Sequence, residues 1–177
     1  MGLRPARVYR KWKRPYTRTA VRVPRKAYIK GVPGMKLVVF EIGNKEKEFD
    51  KTLYLIAKKN VQIRHNALEA GRVAAVNYLK KKMDDKSFFL KVKVYPHHVL
   101  REHAQAAVAQ ADRFYQGMSH PFGKPKARAA RVAKGQGIYF IRVDNDKVEI
   151  AKEALRRAMM KLPKGEYCIK VVEGNGT

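Results

Sequence analysis

Before its first carboxylate, Glu41, the chain carries twelve basic residues and no acid. Ten of them, Arg4, Arg7, Arg10, Lys11, Lys13, Arg14, Arg18, Arg22, Arg25 and Lys26, share the stretch with Tyr9, Trp12, Tyr16 and Tyr28. Arginine presents a planar fork that grips phosphate through two hydrogen bonds, and lysine adds a point charge. Tyr and Trp rings offer stacking faces to splayed bases, which a merely solvating tail would not need. A membrane-surface segment would need an amphipathic helix, and Pro5, Pro15, Pro24 and Pro33 argue against one. A second set, Lys124, Lys126, Arg128, Arg131 and Lys134, lies among small residues in GKPKARAARVAKGQG. Small side chains let the backbone approach RNA closely; the plainer reading of this segment is a solvent-exposed hairpin.

The other reactive residue types assemble nothing comparable. His65, His97, His98, His103 and His120 are the five histidines. On a helix, His98 and His103 would stand about 140° apart, and the neighbours His97 and His98 are expected to point to opposite sides. With no Cys or carboxylate cluster beside them, no metal site is expected; donation to phosphate, or packing, suits the rings better, and His97 and His98 join the candidate RNA contacts. Cys168 lies in an apolar strand pattern and reads as a structural thiol. Ser87 and Ser119 sit in no nucleophile elbow. Asp84, Asp85, Asp144 and Asp146 fall at turns and caps, and Gly135-Gln136-Gly137 precedes a strand rather than following one. No catalytic residue and no cofactor is expected.

These residues ride on 177 residues with 45% hydrophobic content and a formal charge of +25. That is enough apolar material for one packed domain, and too much for wholesale disorder. The excess charge calls for a polyanion. No apolar run is long enough for a transmembrane helix, the basic start is unlike a secretory signal, and the lone cysteine excludes a disulfide scaffold within one chain and suits the cytosol.

Residues 1–35 read as an extended basic arm and residues 36–177 as a single α+β domain. Strands are expected over 37–42, 88–95, 137–143 and 166–172, and over 53–57 and 61–64 as a pair or one bulged strand. Helices are expected over 67–83 and about 146–161. Asn66 would cap the first, with Glu69 completing a capping box, and Asn145 would cap the second. Arg72 interrupts the first helix's buried stripe and should reach its edge. Apart from a short helix near 111–118, residues 96–136 read as a long loop. The sum is a sandwich with helices on one side of a mixed or antiparallel sheet.

Four long stretches in order, RPARVYRKWKRPYTRTAVRVPRKAYIKGVPG, NVQIRHNALEAGRVAAVNYL, FFLKVKVYPHHVLREH and ADRFYQGMSHPFGKPKARAARV, resemble the universal L-sixteen family of large-subunit ribosomal proteins, in its archaeal and eukaryotic branch (L-ten-e). The resemblance spans about residues 4–172. It implies a hammerhead-like α+β fold and a non-catalytic role beside the aminoacyl and peptidyl tRNA sites. The implied partners are large-subunit ribosomal RNA, tRNA and neighbouring ribosomal proteins, in a cytoplasmic, ribosome-bound setting. The arm, Arg64, His65 and Arg72, and Lys124, Lys126, Arg128 and Arg131 would meet ribosomal RNA. A tRNA-proximal loop would map onto 101–111, with Arg101, His103, Gln105, Gln110 and Arg113 as candidate contacts. Members usually carry glycines there; Ala106, Ala107, Val108 and Ala109 restrict the backbone, so a partly helical loop is expected. The ending GNGT lacks the longer eukaryotic tail, which points to an archaeal source. The rival readings are a nucleic-acid-compacting protein, which would need a groove-entering basic helix, and a tRNA-binding or RNA-processing protein, which as an enzyme would need an acid–base pair or a metal.

Overall fold

Alternation of apolar and polar residues in the strands places one face against a core, and antiparallel pairing organises all of them. The computed structural model describes residues 4–12, 31–103 and 123–174. In chain order they form α1 (Ala6–Tyr9), β1 (Glu41–Gly43), β2 (Lys51–Ala57), β3 (Val61–Arg64), α2 (His65–Lys82), β4 (Phe88–Val92), β5 (His98–Glu102), β6 (Lys124–Val132), β7 (Gly137–Val143), α3 (Val148–Met159) and β8 (Tyr167–Glu173). A five-stranded sheet runs in the order β1-β4-β7-β2-β8, and a three-stranded sheet in the order β3-β6-β5. Every described strand pair is antiparallel.

The principal core lies between the five-stranded sheet and the helices. Leu53 and Leu55 of β2, Leu90 of β4 and Ile141 of β7 meet Leu68 and Leu79 of α2 and Leu155 of α3. Small residues bring the helices close: a Cβ on Gly71 would stand 2.6 Å from the Tyr139 hydroxyl and 3.3 Å from the Ala158 carbonyl oxygen. That hydroxyl donates to the Leu68 carbonyl at 2.8 Å, and burial drives the Tyr139 phenol far above its ordinary range. The three-stranded sheet feeds Val61, Ile63, Ala130 and Val132 into the same core. Its other face meets residues 4–12.

Several sequence expectations change. The strand expected over 37–42 is ordered as β1 only from Glu41. The two segments after it are not one bulged strand or a pair: β2 and β3 belong to different sheets. Asn66 does not cap α2, because the helix begins at His65, two residues before the expected start, and Glu69 closes no capping box; its carboxylate takes Arg72 instead. A 3₁₀ turn, Asn145–Lys147, precedes α3. The stretch 96–136 is not all loop: β5 and β6 occupy 98–102 and 124–132. Their alternation is hard to read because β6 fills three of its four buried positions with Ala127, Ala129 and Ala130, leaving Val132 as its one buried β-branched residue. The helix expected near 111–118 lies outside the described residues.

Candidate nucleic-acid interface

The interface is built on the three-stranded sheet. Its outward face carries Gln62 and Arg64 from β3, Ala127, Ala129 and Arg131 from β6, and His98 and Leu100 from β5. Residues 4–12 lie on that face. Where an extended arm is expected, residues 6–9 make one helical turn. Tyr9 is only 7% exposed and packs on Leu100, Ala127 and Ala129 with Val8 beside it. Alanines at 127 and 129 leave the hollow that the ring fills.

Gln62, 1% exposed, locks this docking. Its backbone N–H donates to the Arg10 carbonyl at 3.0 Å. Its side-chain amide donates to the Tyr9 carbonyl at 2.7 Å and accepts from Arg131 Nε at 3.2 Å. Arg64 donates to the Arg4 carbonyl at 2.6 Å and lies 5.8 Å from the Tyr9 ring centroid. Arg4 in turn reaches 3.9 Å from the buried Glu102 carboxylate, neither of whose oxygens accepts a hydrogen bond from the described residues. Polar side chains in a buried strand position are the signal that could have picked out Gln62 from VQIR; Glu102 gave no such signal without the strand register.

His65 fixes the other end of the arm. Its ring, 5% exposed, accepts the Lys36 backbone N–H at Nδ1, 2.8 Å away. Burial pushes the imidazole below its ordinary value, and Lys36, Arg128 and Arg64 push the same way. Arg128 donates to the Pro33 carbonyl at 2.7 Å and approaches the Tyr95 hydroxyl at 3.4 Å. So Tyr9, Arg64, His65 and Arg128, read from sequence as RNA contacts, hold the chain's own backbone or core. Arg72 is clamped by Glu69, which raises its affinity for the proton still further. The neighbours His97 and His98 do not diverge: their ring centroids are 4.3 Å apart, with the His97 Nδ1 3.0 Å from the Tyr95 carbonyl oxygen. No group of three metal-ligating side chains occurs among the described residues, and no described helix is long and apolar enough to cross a membrane.

The cations left facing outward are Arg7, Arg10 and Lys11 from the docked segment and Lys124 and Lys126 from β6. Trp12 is half-buried. Sequence reasoning missed how the body adds to them. A recess of about 200 Å³ is lined by Arg10 and Lys11, by Lys59 and Asn60 of the β2–β3 turn, and by Lys164 and Tyr167 near β8. Lys59 pairs with Glu166, holding that carboxyl below the usual range.

β5 and β6 also form a stem whose ends close on each other: Glu102 pairs with Lys124 in register. A Cβ on Gly123 would stand 2.6 Å from the Glu102 carbonyl carbon, so only glycine lets the two ends meet this closely. Arg101 and His103 stand at that root. Lys13, Arg14, Tyr16, Arg18, Arg22, Arg25, Lys26, Gln105, Gln110 and Arg113 lie outside the described residues.

Comparison with known proteins adds an independent line. The family model described as "Ribosomal protein L16p/L10e" matches residues 14–167. A protein of Archaeoglobus fulgidus named "Large ribosomal subunit protein uL16" is 49% identical over 163 residues, covering 92% of this chain and 90% of its own. Proteins of the same name from Staphylothermus marinus and Sulfolobus acidocaldarius are 50% and 47% identical, with the same coverage of both chains.

Proposed function

The chain belongs to the L16p/L10e family of ribosomal proteins, in its archaeal form, and from that premise we propose that it binds large-subunit ribosomal RNA through the arm-bearing sheet and supports tRNA positioning. Its role is structural and non-enzymatic, as a constituent of the large ribosomal subunit. Converging RNA helices repel one another, and a rigid body that delivers cations to fixed places offsets that repulsion. One observation carries the reading: the root of the arm is docked by its backbone and by Tyr9, so that Arg7, Arg10 and Lys11 stay exposed on the docked segment while Lys124 and Lys126 are exposed at the start of β6. Backbone hydrogen bonds to Gln62 and Arg64 leave the Arg7, Arg10 and Lys11 side chains for the partner.

The stem of β5 and β6 supports the tRNA part. It holds both ends of segment 104–122 side by side, and Arg101 and His103 start that segment from a packed strand rather than from a flexible base. RNA recognised this way is read by shape and backbone.

The test is incorporation. Archaeal cells expressing a tagged chain with Arg7→Gln, Arg10→Gln and Lys11→Gln should show it depleted from large subunits on sucrose gradients relative to the unaltered tagged chain. In solution the variant's affinity for a large-subunit ribosomal RNA transcript should fall less steeply with salt, by roughly 0.7–0.9 in logarithmic slope for each phosphate no longer neutralised. Undiminished incorporation and an unaltered slope would overturn the arm's assignment. Replacement of segment 104–122 by a short Gly-Ser linker should leave RNA affinity near normal and weaken tRNA binding to reconstituted subunits; normal tRNA binding would refute the loop's role.

A further inference from the structure

The helices close one face of the five-stranded sheet; the other carries a layered arrangement separate from the sheet on which residues 4–12 dock. Phe89 of β4 and Phe140 of β7 are buried in it with Phe49, and Tyr54 of β2 packs against them. Phe140 has its ring centroid 5.7 Å from that of Tyr54 and 5.8 Å from that of Phe89. Cations lie over the rings. Arg142 stands 5.4 Å from the Phe140 centroid and 5.8 Å from that of Phe89. Lys93 Nζ stands 5.3 Å from the Tyr54 centroid and 5.8 Å from that of Phe140. Lys170 of β8 sits in register with Tyr54, which in turn faces Phe140.

A cation over a ring is held in place without losing its charge. Among the described residues, Lys93, Arg142 and Lys170 form no ion pair with a carboxylate, and Arg142 Nε is buried with no acceptor. Of the acids bordering this face, Glu41 pairs with Lys91, Asp144 with Lys47 and Glu173 with Lys51, while Glu48 and Asp50 flank Phe49 at its edge. Between Lys93 and Lys170 lies an open recess of about 310 Å³, floored by Tyr54, Ile56 and Gly137.

We propose that this open sheet face is a second RNA-binding surface, in which Lys93, Arg142 and Lys170 hold the phosphodiester backbone of an RNA strand above a fixed aromatic layer. The inference extends the RNA-binding reading above to a surface that shares none of its residues. Charge complementarity selects the partner. An acidic protein would need apolar anchors as well as charge to bind durably, and here Phe89 and Phe140 are sealed beneath the cations. What remains is positive charge at fixed positions, spread across strands that stand about 4.8 Å apart. Such a surface suits a chain of phosphates and carries no base-edge readout. Because the rings already restrict Lys93 and Arg142, binding through these two costs less side-chain freedom. With the arm on the small sheet, the body would then meet RNA on two separate surfaces.

The experiment compares four full-length proteins on one transcript of large-subunit ribosomal RNA, by filter binding across a salt series. They are the unaltered chain, Lys93→Gln/Lys170→Gln, Arg7→Gln/Arg10→Gln, and Lys81→Gln/Lys82→Gln, the last removing the same charge from the exposed end of α2. The sheet-face pair should flatten the logarithmic salt slope by about 1.4–1.8, for two phosphate contacts, and Lys93→Arg/Lys170→Arg should restore it. The α2 pair should leave the slope near that of the unaltered chain. A sheet-face slope equal to that of the α2 pair overturns the inference, as does a loss of binding to polyglutamate with RNA binding intact. A flattened slope for the arm pair with none for the sheet face refutes this surface and leaves the arm standing; the reverse refutes the arm and leaves this surface standing. Both lysines are exposed, so thermal midpoints should match to within a few degrees, and the slope then reports phosphate binding rather than folding.

Discussion

Tyr9→Ala separates an anchor from an RNA contact. The ring fills a hollow lined by Leu100, Ala127 and Ala129. Truncating a buried aromatic costs about 3–5 kcal/mol in a large core; this small cluster, on the edge of the molecule, should sit near the lower end. The Arg64 contact over the ring, at 5.8 Å, adds about 0.5 kcal/mol. Roughly 3 kcal/mol corresponds to about two decades in an equilibrium constant. The reporter is the Gln62 amide, whose N–H donates to the Arg10 carbonyl and exchanges with solvent when the arm lifts. In Tyr9→Ala that amide should exchange up to about a hundredfold faster, while Ile141 and Leu55 in the central strands change little. Tyr9→Leu, which refills part of the hollow, should lie between. RNA affinity should fall along with Gln62 protection, because undocked cations must be ordered again on binding. If affinity collapses while Gln62 protection stays at its normal level, the ring meets RNA directly and the anchor is refuted.

His65 gives a pH dependence. Its folded-state proton affinity is lowered by burial and by Lys36, Arg128 and Arg64, so the unfolded state takes up the proton first as pH falls; stability is complete above about pH 6.5 and declines below it. Urea denaturation from pH 8 to 5 should show this decline, and His65→Asn should flatten it; equal slopes would assign the dependence to other groups. Gly71→Ala should destabilise by about 1–3 kcal/mol through overpacking, despite a helix-propensity gain of about 1 kcal/mol, and adding Tyr139→Phe should recover part of the loss in the same assay, since the added methyl meets the Tyr139 hydroxyl. Glu102→Gln removes a buried charge whose ion-pair neighbour among the described residues, Arg4, is 38% exposed and can rehydrate; the isolated protein should gain up to about 1 kcal/mol, and a clear loss of thermal stability would show that the 3.9 Å pair holds the arm.

How much was legible follows from which signals are local. β7 lies where GIYFIRV places it, residues 137–143, and β8 lies within one residue of its expected bounds, because β-branched and aromatic runs bounded by turn residues mark strands directly. α2 and α3 were visible from their apolar spacing, and Leu68, Ala75, Val76 and Leu79 are buried as that spacing requires. Their caps were not, since Arg64 and Lys147 precede the helices with no side-chain hydrogen bond. The split into two sheets was hidden because β2 and β3 are separated by only three residues, and nothing in a short turn says that the chain is changing partners. The interface was legible as composition and not as geometry: the surplus of cations showed, but which of them are consumed internally did not.

That division has a physical origin. A segment with twelve cations and no acid gains little by docking on its own body through its charges, since the body carries a net positive charge too. Apart from Arg4, whose guanidinium stands 3.9 Å from the Glu102 carboxylate, residues 4–12 dock through groups without net charge: the carbonyls of Arg4, Tyr9 and Arg10, and one aromatic ring. The body meets them with Gln62 and with Arg64, whose charge faces a carbonyl and a ring rather than another cation. Arg128 follows the same rule with Pro33, and His65 follows it by staying neutral to accept the Lys36 amide. These contacts spare Arg7, Arg10 and Lys11, which stay exposed on the docked segment. An arm root built this way can be positioned before it meets RNA with Arg7, Arg10 and Lys11 still exposed, which docking through ion pairs at those three residues could not do.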